Sequence, residues 1–78
     1  MNDDGYQQQL EQLIEQRFVT LSNRLQQVAR YLLDHPDTVA FGTTATIAAG
    51  AGVHASALVR FANAFGFSGF SQMQQLFK

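Results

Sequence analysis

The sequence predicts an all-α domain of five to six helices. Apolar residues recur at helical spacing along the chain, glycine and proline separate the apolar segments, and no segment alternates between apolar and polar residues as a strand would. A length of 78 residues accommodates one small domain. We therefore expect a single helical unit without internal repeats.

The first predicted helix runs from about Tyr6 to Phe18. Leu10, Leu13 and Ile14 recur in it near helical spacing, with Glu and Gln between them. This helix precedes the next helix start by several residues. We therefore expect residues 1–20 to form an N-terminal arm that contacts a second copy, and residues 21–78 to form the main domain.

The second helix has clear start and stop signals. Ser22 is a plausible N-cap, because its hydroxyl oxygen can accept a backbone N–H that has no partner inside the helix. Pro36 disfavours helical geometry at His35, so we expect the helix to end there. Its inner face follows the i, i+3, i+4, i+7 rule: Leu25, Val28, Ala29, Leu32 and Leu33.

The next two elements are short. The segment PDTVAF predicts one helical turn with Val39 and Phe41 facing inward. Gly42 then interrupts the chain, and Thr43 or Thr44 is expected to cap the following helix. That helix buries Ile47, Ala48 and Ala51 and does not continue far beyond Gly52.

A further helix is expected to begin near His54 or Ala55. Its inner face carries four apolar residues at helical spacing: Leu58, Phe61, Ala62 and Phe65. Gly66 follows where helices prefer a left-handed residue, and Phe67 is placed to fold back on the helix end. Ser68 is expected to cap a last helix that buries Phe70, Met73, Leu76 and Phe77.

Composition excludes several classes of function. The chain has no cysteine and only two histidines, and no catalytic pairing of side chains stands out, so we expect no enzyme activity, no metal and no cofactor. The net charge is −1, but all six acids lie at or before Asp37, leaving residues 38–78 with a charge of +2. The second half therefore tolerates a polyanion. No apolar run is long enough to span a membrane, and we expect a cytoplasmic protein.

The segment GAGVHA, residues 50–55, fits two motifs. It matches Gly-x-Gly-x-x-Gly/Ala of dinucleotide-binding folds, which needs a buried strand before it and a carboxylate about 20 residues after it. The preceding segment TTATIAA is not such a strand, and no Asp or Glu follows Asp37. A nucleotide site is therefore disfavoured.

The same segment also fits the corner of a helix-turn-helix. That motif needs a small residue where two helices approach, a residue that tolerates positive φ in the turn, and apolar anchors on the second helix. Ala48 and Gly52 meet the first two requirements. Val53 fills the gap after the turn, and Leu58 and Phe61 are the anchors. On this interpretation Gly50 is incidental and mildly destabilising.

Three blocks of sequence resemble a known family. VARYLLDHPDTV, IAAGAGV and VRFANAFGFSGFSQMQ are similar to the N-terminal DNA-binding domain of RpiR-type bacterial transcription regulators, over about residues 21–77. The resemblance implies a homeodomain-like helix-turn-helix that forms a homodimer and binds operator DNA. It also implies control of carbohydrate genes by a sugar phosphate. The effector would bind a C-terminal SIS domain, which these 78 residues do not include.

The helical period predicts which residues contact DNA. The recognition helix should present His54, Ala55, Ser56, Val59, Arg60 and Asn63, with Arg60 best suited to bind guanine or phosphate. Phosphate contacts are expected from Thr43, Thr44, Ser68 and Gly69. His54 stands where the resembled family usually has a serine cap. The alternative hypothesis is a helix-turn-helix scaffold that docks or dimerises proteins and binds no DNA.

Overall fold

The computed structural model describes residues 4–78; residues 1–3 of the predicted arm lie outside the described part. The described part contains no strand, which confirms the all-α prediction for those residues. The helices are α1 (Asp4–Arg17), α2 (Asn23–Asp34), α3 (Pro36–Phe41), α4 (Thr44–Ala51), α5 (Ala55–Ala64) and α6 (Phe70–Gln75), with a 3-10 turn at Phe18–Thr20.

Helix α5 lies at the centre of the fold, where it packs against α2, α4 and α6. Every helix contributes to one core, and α1 adds Leu10 and Ile14 to it. The first helix therefore packs on the rest of the domain. Its contact with a second copy stays a prediction. The largest fully buried side chains are Phe61, Ile14, Leu32, Ile47, Leu58, Met73, Val28 and Val39.

The boundaries of α2, α3 and α4 follow the predicted signals at Ser22, Pro36 and Thr43. The Ser22 hydroxyl accepts a hydrogen bond from the Leu25 N–H at 3.3 Å, and Pro36 begins α3 directly after α2 has ended. Thr43 caps α4 through a capping box with Thr46, in which each side chain accepts the other residue's backbone N–H. These caps satisfy N–H groups that a helix leaves without internal partners.

The prediction that Phe41 faces inward is wrong. Val39 and Ala40 are buried in α3, whereas Phe41 is 82% exposed. Inward Val39 and Phe41 would require the alternating pattern of a strand. In a helix, residues two apart lie about 200° from each other around the axis, so burying Val39 turns Phe41 to solvent.

The predicted Ser68 cap is also wrong. Gly69 precedes the first residue of α6, and no side chain caps that helix. Instead, the Gln72 side chain accepts a hydrogen bond from the Ser68 N–H at 2.9 Å. Because Gly69 lies between Ser68 and the helix, the Ser68 hydroxyl does not occupy the capping position.

Within residues 4–78, one bent pair of helices has the length and composition to cross a membrane. No single helix in residues 4–78 is long and apolar enough to cross a membrane. Helices α4 and α5 reach the required length and composition only together, across a bend of 94°, and core helices meet the same criteria.

Candidate nucleic-acid interface

The corner between α4 and α5 is built by a Schellman motif. Gly52 adopts left-handed geometry (φ 75°, ψ 30°), as the sequence predicts. The Val53 N–H donates to the Ala48 carbonyl at 3.0 Å, and the Gly52 N–H donates to the Ala49 carbonyl at 3.1 Å. This pair of bonds satisfies the last carbonyls of α4 and ends the helix. Val53 is half-buried and packs against the core.

Helices α4 and α5 meet at 94° across this corner. Crossings of about 90–120° over a three- or four-residue turn are typical of a helix-turn-helix. The Gln27 side-chain amide of α2 braces the corner by donating to the carbonyls of Ala51 (2.8 Å) and Gly52 (3.2 Å). The corner is therefore held both by its own backbone and by a neighbouring helix.

The inner face of α5 anchors it on the domain. Leu58 and Phe61, the predicted anchors, are fully buried, and Ala57 and Ala62 are also buried. Ala48 of α4, the predicted small residue, is also buried. Burial of these residues determines which face of α5 meets solvent.

The outer face of α5 contains most of the predicted contact residues. His54, Ser56, Arg60 and Asn63 are exposed, and Val59 is 44% exposed. Ala55 departs from the prediction, because it is half-buried and packs against the core. The first turn of the helix leans on the domain, so Ala55 has less contact surface than the sequence suggests.

His54 is the N-cap of α5. Its Nδ1 accepts a hydrogen bond from the Ser56 N–H at 3.2 Å and lies 3.2 Å from the Ser56 hydroxyl. An imidazole nitrogen that accepts a backbone N–H carries no proton, so this bond places the ring N–H on Nε2. His54 therefore caps the helix in the position where the resembled family usually has serine, and Nε2 is left as a donor.

Arg60 is unpaired in the described part of the chain. Within residues 4–78 its side chain makes no hydrogen bond, ion pair or ring contact. Arg17 and Arg30, in contrast, lie over the rings of Phe65 and Phe18. Arg60 is therefore a guanidinium group on the exposed face of α5 whose donors are available to a ligand.

The start of α4 offers backbone donors. The Thr43 hydroxyl is engaged in the capping box, which uses the N–H of Thr46. The N–H groups of Thr44 and Ala45 have no partner inside the helix. Thr44 is half-buried, Ser68 is exposed and Gly69 is half-buried.

Comparison with known proteins identifies the family. The profile of the helix-turn-helix domain of the rpiR family matches residues 8–77, from the second turn of α1 to the end of the core. The chain belongs to the rpiR family of helix-turn-helix domains. This is a family of DNA-binding transcription regulators. No curated protein and no solved structure matched the chain significantly.

One glycine of this rpiR-family domain has a role that the sequence interpretation missed. A Cβ at Gly50 would lie 2.4 Å from the Tyr31 hydroxyl oxygen and 2.7 Å from Cζ of the same ring. Gly50 is therefore not incidental, because the tyrosine of α2 packs over the bare backbone of α4. Glycine at this position carries a cost in helix propensity and leaves room for the Tyr31 ring.

Three polar side chains that brace helix ends were also missed. Gln27 binds the end of α4, Gln74 donates to the Val39 and Gly42 carbonyls at the end of α3, and Arg17 donates to the Ala64 carbonyl at the end of α5. All three lie on helices whose polar residues the sequence pattern assigns to the solvent-exposed face. Sequence spacing gives no signal for such bonds, because each one joins residues at least 24 positions apart.

Proposed function

We propose that this rpiR-family domain binds double-stranded DNA sequence-specifically by inserting α5 into the major groove. The observation that carries the proposal is the 94° corner, which presents an exposed helix face with an unpaired Arg60 at its centre. A recognition helix of this kind contacts base edges with residues near its N-terminus.

Within this proposal Arg60 binds guanine O6 and N7 or grips a phosphate. Ser56 and the Nε2 donor of His54 hydrogen-bond to bases or phosphates near the helix start. Val59 contacts thymine methyl groups. Asn63, two turns into the helix, contacts the sugar-phosphate backbone of the DNA. Half-buried Ala55 makes no directional contact, but its small side chain lets the start of α5 approach the DNA closely.

Phosphate contacts are proposed at both flanks of α5. The N–H groups of Thr44 and Ala45 remain after the capping box has used that of Thr46, so backbone donors suit a phosphate better than the engaged Thr43 hydroxyl. Ser68 and Gly69, which follow α5 in the chain, are the second pair proposed to contact phosphate. Contacts of this kind set the register of the protein on the duplex without reading sequence.

The regulatory context is proposed from the family. The domain acts as a homodimer, with α1 as the contact, because Tyr6 and Leu13 remain 52% and 36% exposed on that helix. The protein operates in the bacterial cytoplasm at the nucleoid and has no enzymatic role. Control of carbohydrate genes by a sugar phosphate requires a further domain, so reading the gene beyond Lys78 tests that part.

Selection of binding sites tests DNA recognition. The protein is incubated at low salt with duplexes whose central positions are randomised, and retained duplexes are sequenced. We expect enrichment of one half-site sequence and an affinity that falls steeply as salt rises. Failure to retain any duplex, with folded protein, would contradict the proposal.

Arg60→Gln then tests the contact surface, with Arg24→Gln as the matched control because Arg24 is also exposed. Both variants lose one positive charge. We expect Arg60→Gln to weaken binding to the selected duplex by about 1–3 kcal/mol and to relax preference at one position. Arg24→Gln should affect all duplexes alike; equal behaviour of the two variants would remove Arg60 from base recognition.

A second candidate function has one observation in its favour. An apolar groove of about 190 Å³ lies between α1, α6 and the end of α5, lined by Tyr6, Leu10, Leu13, Phe65, Phe67 and Leu76. A protein-docking scaffold would use this groove and leave α5 without a ligand. Such a protein would fail the duplex selection while still forming dimers in sedimentation experiments.

A further inference from the structure

We infer that Arg17 is a positioning residue for the recognition helix, so that specific DNA affinity depends on α1. The inference rests on the proposed role of α5 in binding DNA. It assigns to Arg17 an action through α5 rather than a contact with DNA.

Arg17 is the last residue of α1, and it reaches the far end of α5. Its Nη2 donates to the Ala64 carbonyl at 2.9 Å, and its guanidinium carbon lies 4.6 Å from the centre of the Phe65 ring. The side chain is half-buried. A hydrogen bond and a cation–π contact thus join the same guanidinium group to two consecutive residues.

The Ala64 carbonyl needs a partner from outside its helix. The turn after α5 uses the Ala62 carbonyl for the Phe67 N–H and the Asn63 carbonyl for the Gly66 N–H. Ala64 is the next and last residue of α5. Arg17 therefore supplies a donor that the local turn does not, and it places a positive charge at the negative end of the helix dipole.

The contact continues into the core of the recognition helix. The Phe65 ring lies 4.8 Å from the ring of Phe61, which is fully buried on the inner face of α5. His54 caps one end of α5 and Arg17 holds the other. Binding surfaces need their side chains held within about 0.5 Å and 10–20°, so releasing one end of α5 should misalign the exposed face.

Arg30 provides a matched control within the same domain. Its guanidinium carbon lies 5.1 Å from the centre of the Phe18 ring. Replacing either arginine by glutamine removes one positive charge and one ring contact. Neither Arg30 nor Phe18 belongs to α5, so only the Arg17 variant releases the recognition helix.

The experiment compares Arg17→Gln and Arg30→Gln on two duplexes. One duplex is the sequence selected by the wild-type protein, and the other is a scrambled sequence of the same length. We expect Arg17→Gln to bind the selected duplex roughly five- to tenfold more weakly, the size of effect seen for residues coupled to a ligand without touching it. Binding to the scrambled duplex should match that of Arg30→Gln.

The salt dependence separates positioning from direct contact. A positioning residue leaves the slope of log affinity against log salt unchanged, whereas loss of a phosphate contact lowers that slope by about one. A lower slope, or equal losses on both duplexes, overturns the inference. So does wild-type affinity in folded Arg17→Gln protein. If that variant does not fold, Arg17→Lys, which keeps the charge but loses the planar guanidinium, replaces it, and Arg30→Lys becomes its matched control.

Amide hydrogen exchange, measured without DNA, tests the role of Arg17 independently of whether the domain binds DNA. Amide hydrogen exchange at the last turn of α5 should accelerate in Arg17→Gln and stay unchanged in Arg30→Gln. If no duplex binds to wild-type protein, the proposed function fails and this readout still decides whether Arg17 holds α5. Unchanged exchange at the end of α5 overturns the positioning role.

Discussion

Helix α5 is entered and left through the same kind of turn. At the entry, Gly52 is left-handed and Val53 donates back to Ala48; at the exit, Gly66 (φ 90°) is left-handed and Phe67 donates back to Ala62. Both turns are Schellman motifs that are followed by a half-buried apolar residue. Their local geometry is therefore nearly identical.

The two turns differ in their surroundings. A Cβ at Gly52 would lie 2.9 Å from the Gln27 amide nitrogen, whereas a Cβ at Gly66 would meet nothing within 4 Å. At the entry, Gln27 of α2 binds the carbonyls of Ala51 and Gly52; at the exit, Arg17 of α1 binds the carbonyl of Ala64, two residues before Gly66. The local motif ends the helix in both cases, but only at the entry does a neighbour restrict the glycine itself.

Substitution at Gly52 should have the largest effect. Gly52→Ala places a side chain in left-handed backbone, which costs about 1–2 kcal/mol, and also displaces Gln27. We expect the free energy of unfolding in urea to fall by about 2–3 kcal/mol. In a Gln27→Ala background, the loss of unfolding free energy caused by Gly52→Ala should fall to the left-handed backbone penalty alone, because no glutamine then has to move. Equal costs in both backgrounds would show that Gln27 does not restrict the turn.

The corresponding change at Gly66 should cost less. Gly66→Ala meets only the left-handed backbone penalty, so we expect the free energy of unfolding to fall by about 1–1.5 kcal/mol. The same urea titration measures it. A loss as large as that of Gly52→Ala would break the comparison, because open space surrounds Gly66 and no neighbour needs to move.

Gly50 tests a third situation, a glycine in helical backbone that leaves room for a ring. Gly50→Ala gains about 1 kcal/mol of helix propensity, but crowding against Tyr31 should cost more, for a net loss of about 1 kcal/mol. In a Tyr31→Ala background the same substitution should stabilise the domain. Thermal unfolding of the four proteins in this cycle measures the change of sign, and a stabilising Gly50→Ala with Tyr31 present would contradict the prediction.

Removing the brace at the entry turn should have a smaller effect. Gln27→Ala leaves the carbonyls of Ala51 and Gly52 without their amide donor, and we expect a loss of about 0.5–1.5 kcal/mol. Gln12→Ala is the control, since Gln12 is an exposed glutamine inside α1. A comparable loss in both variants would attribute the effect to the glutamine side chain in general rather than to the brace.

The smallest expected effect is at the cap of α5. His54→Ser introduces a preferred N-cap residue in place of an imidazole that accepts one N–H at 3.2 Å. We expect a gain of about 0.5 kcal/mol, which raises Tm by roughly 2–4 °C. A lower Tm would show that the ring contributes more than its capping bond, and the duplex affinity of this variant would show whether Nε2 contacts DNA.

Much of the site could be predicted from the sequence because its signals are local. Ser22 is the predicted N-cap, Thr43 is the one of the two candidate threonines that caps α4, and Gly52 and Gly66 have left-handed geometry, each acting on groups within five residues of itself. The error at Phe41 arose because a local pattern was assigned the wrong period. Alternation was assumed in a segment that forms a helical turn, so the wrong periodicity turned an exposed ring inward.

The sequence by itself determined the helices, the caps at Ser22 and Thr43, the turns at Gly52 and Gly66 and the buried stripe of α5, because caps, turns and helical periodicity depend on residues close together in the chain. Only the tertiary structure decided what Gly50, Gln27 and Arg17 do. Each of them acts on a helix at least 19 residues away in the chain, where the packing of α1 and α2 brings a ring, an amide or a guanidinium group against backbone. No spacing rule encodes such contacts, since they depend on how whole helices cross.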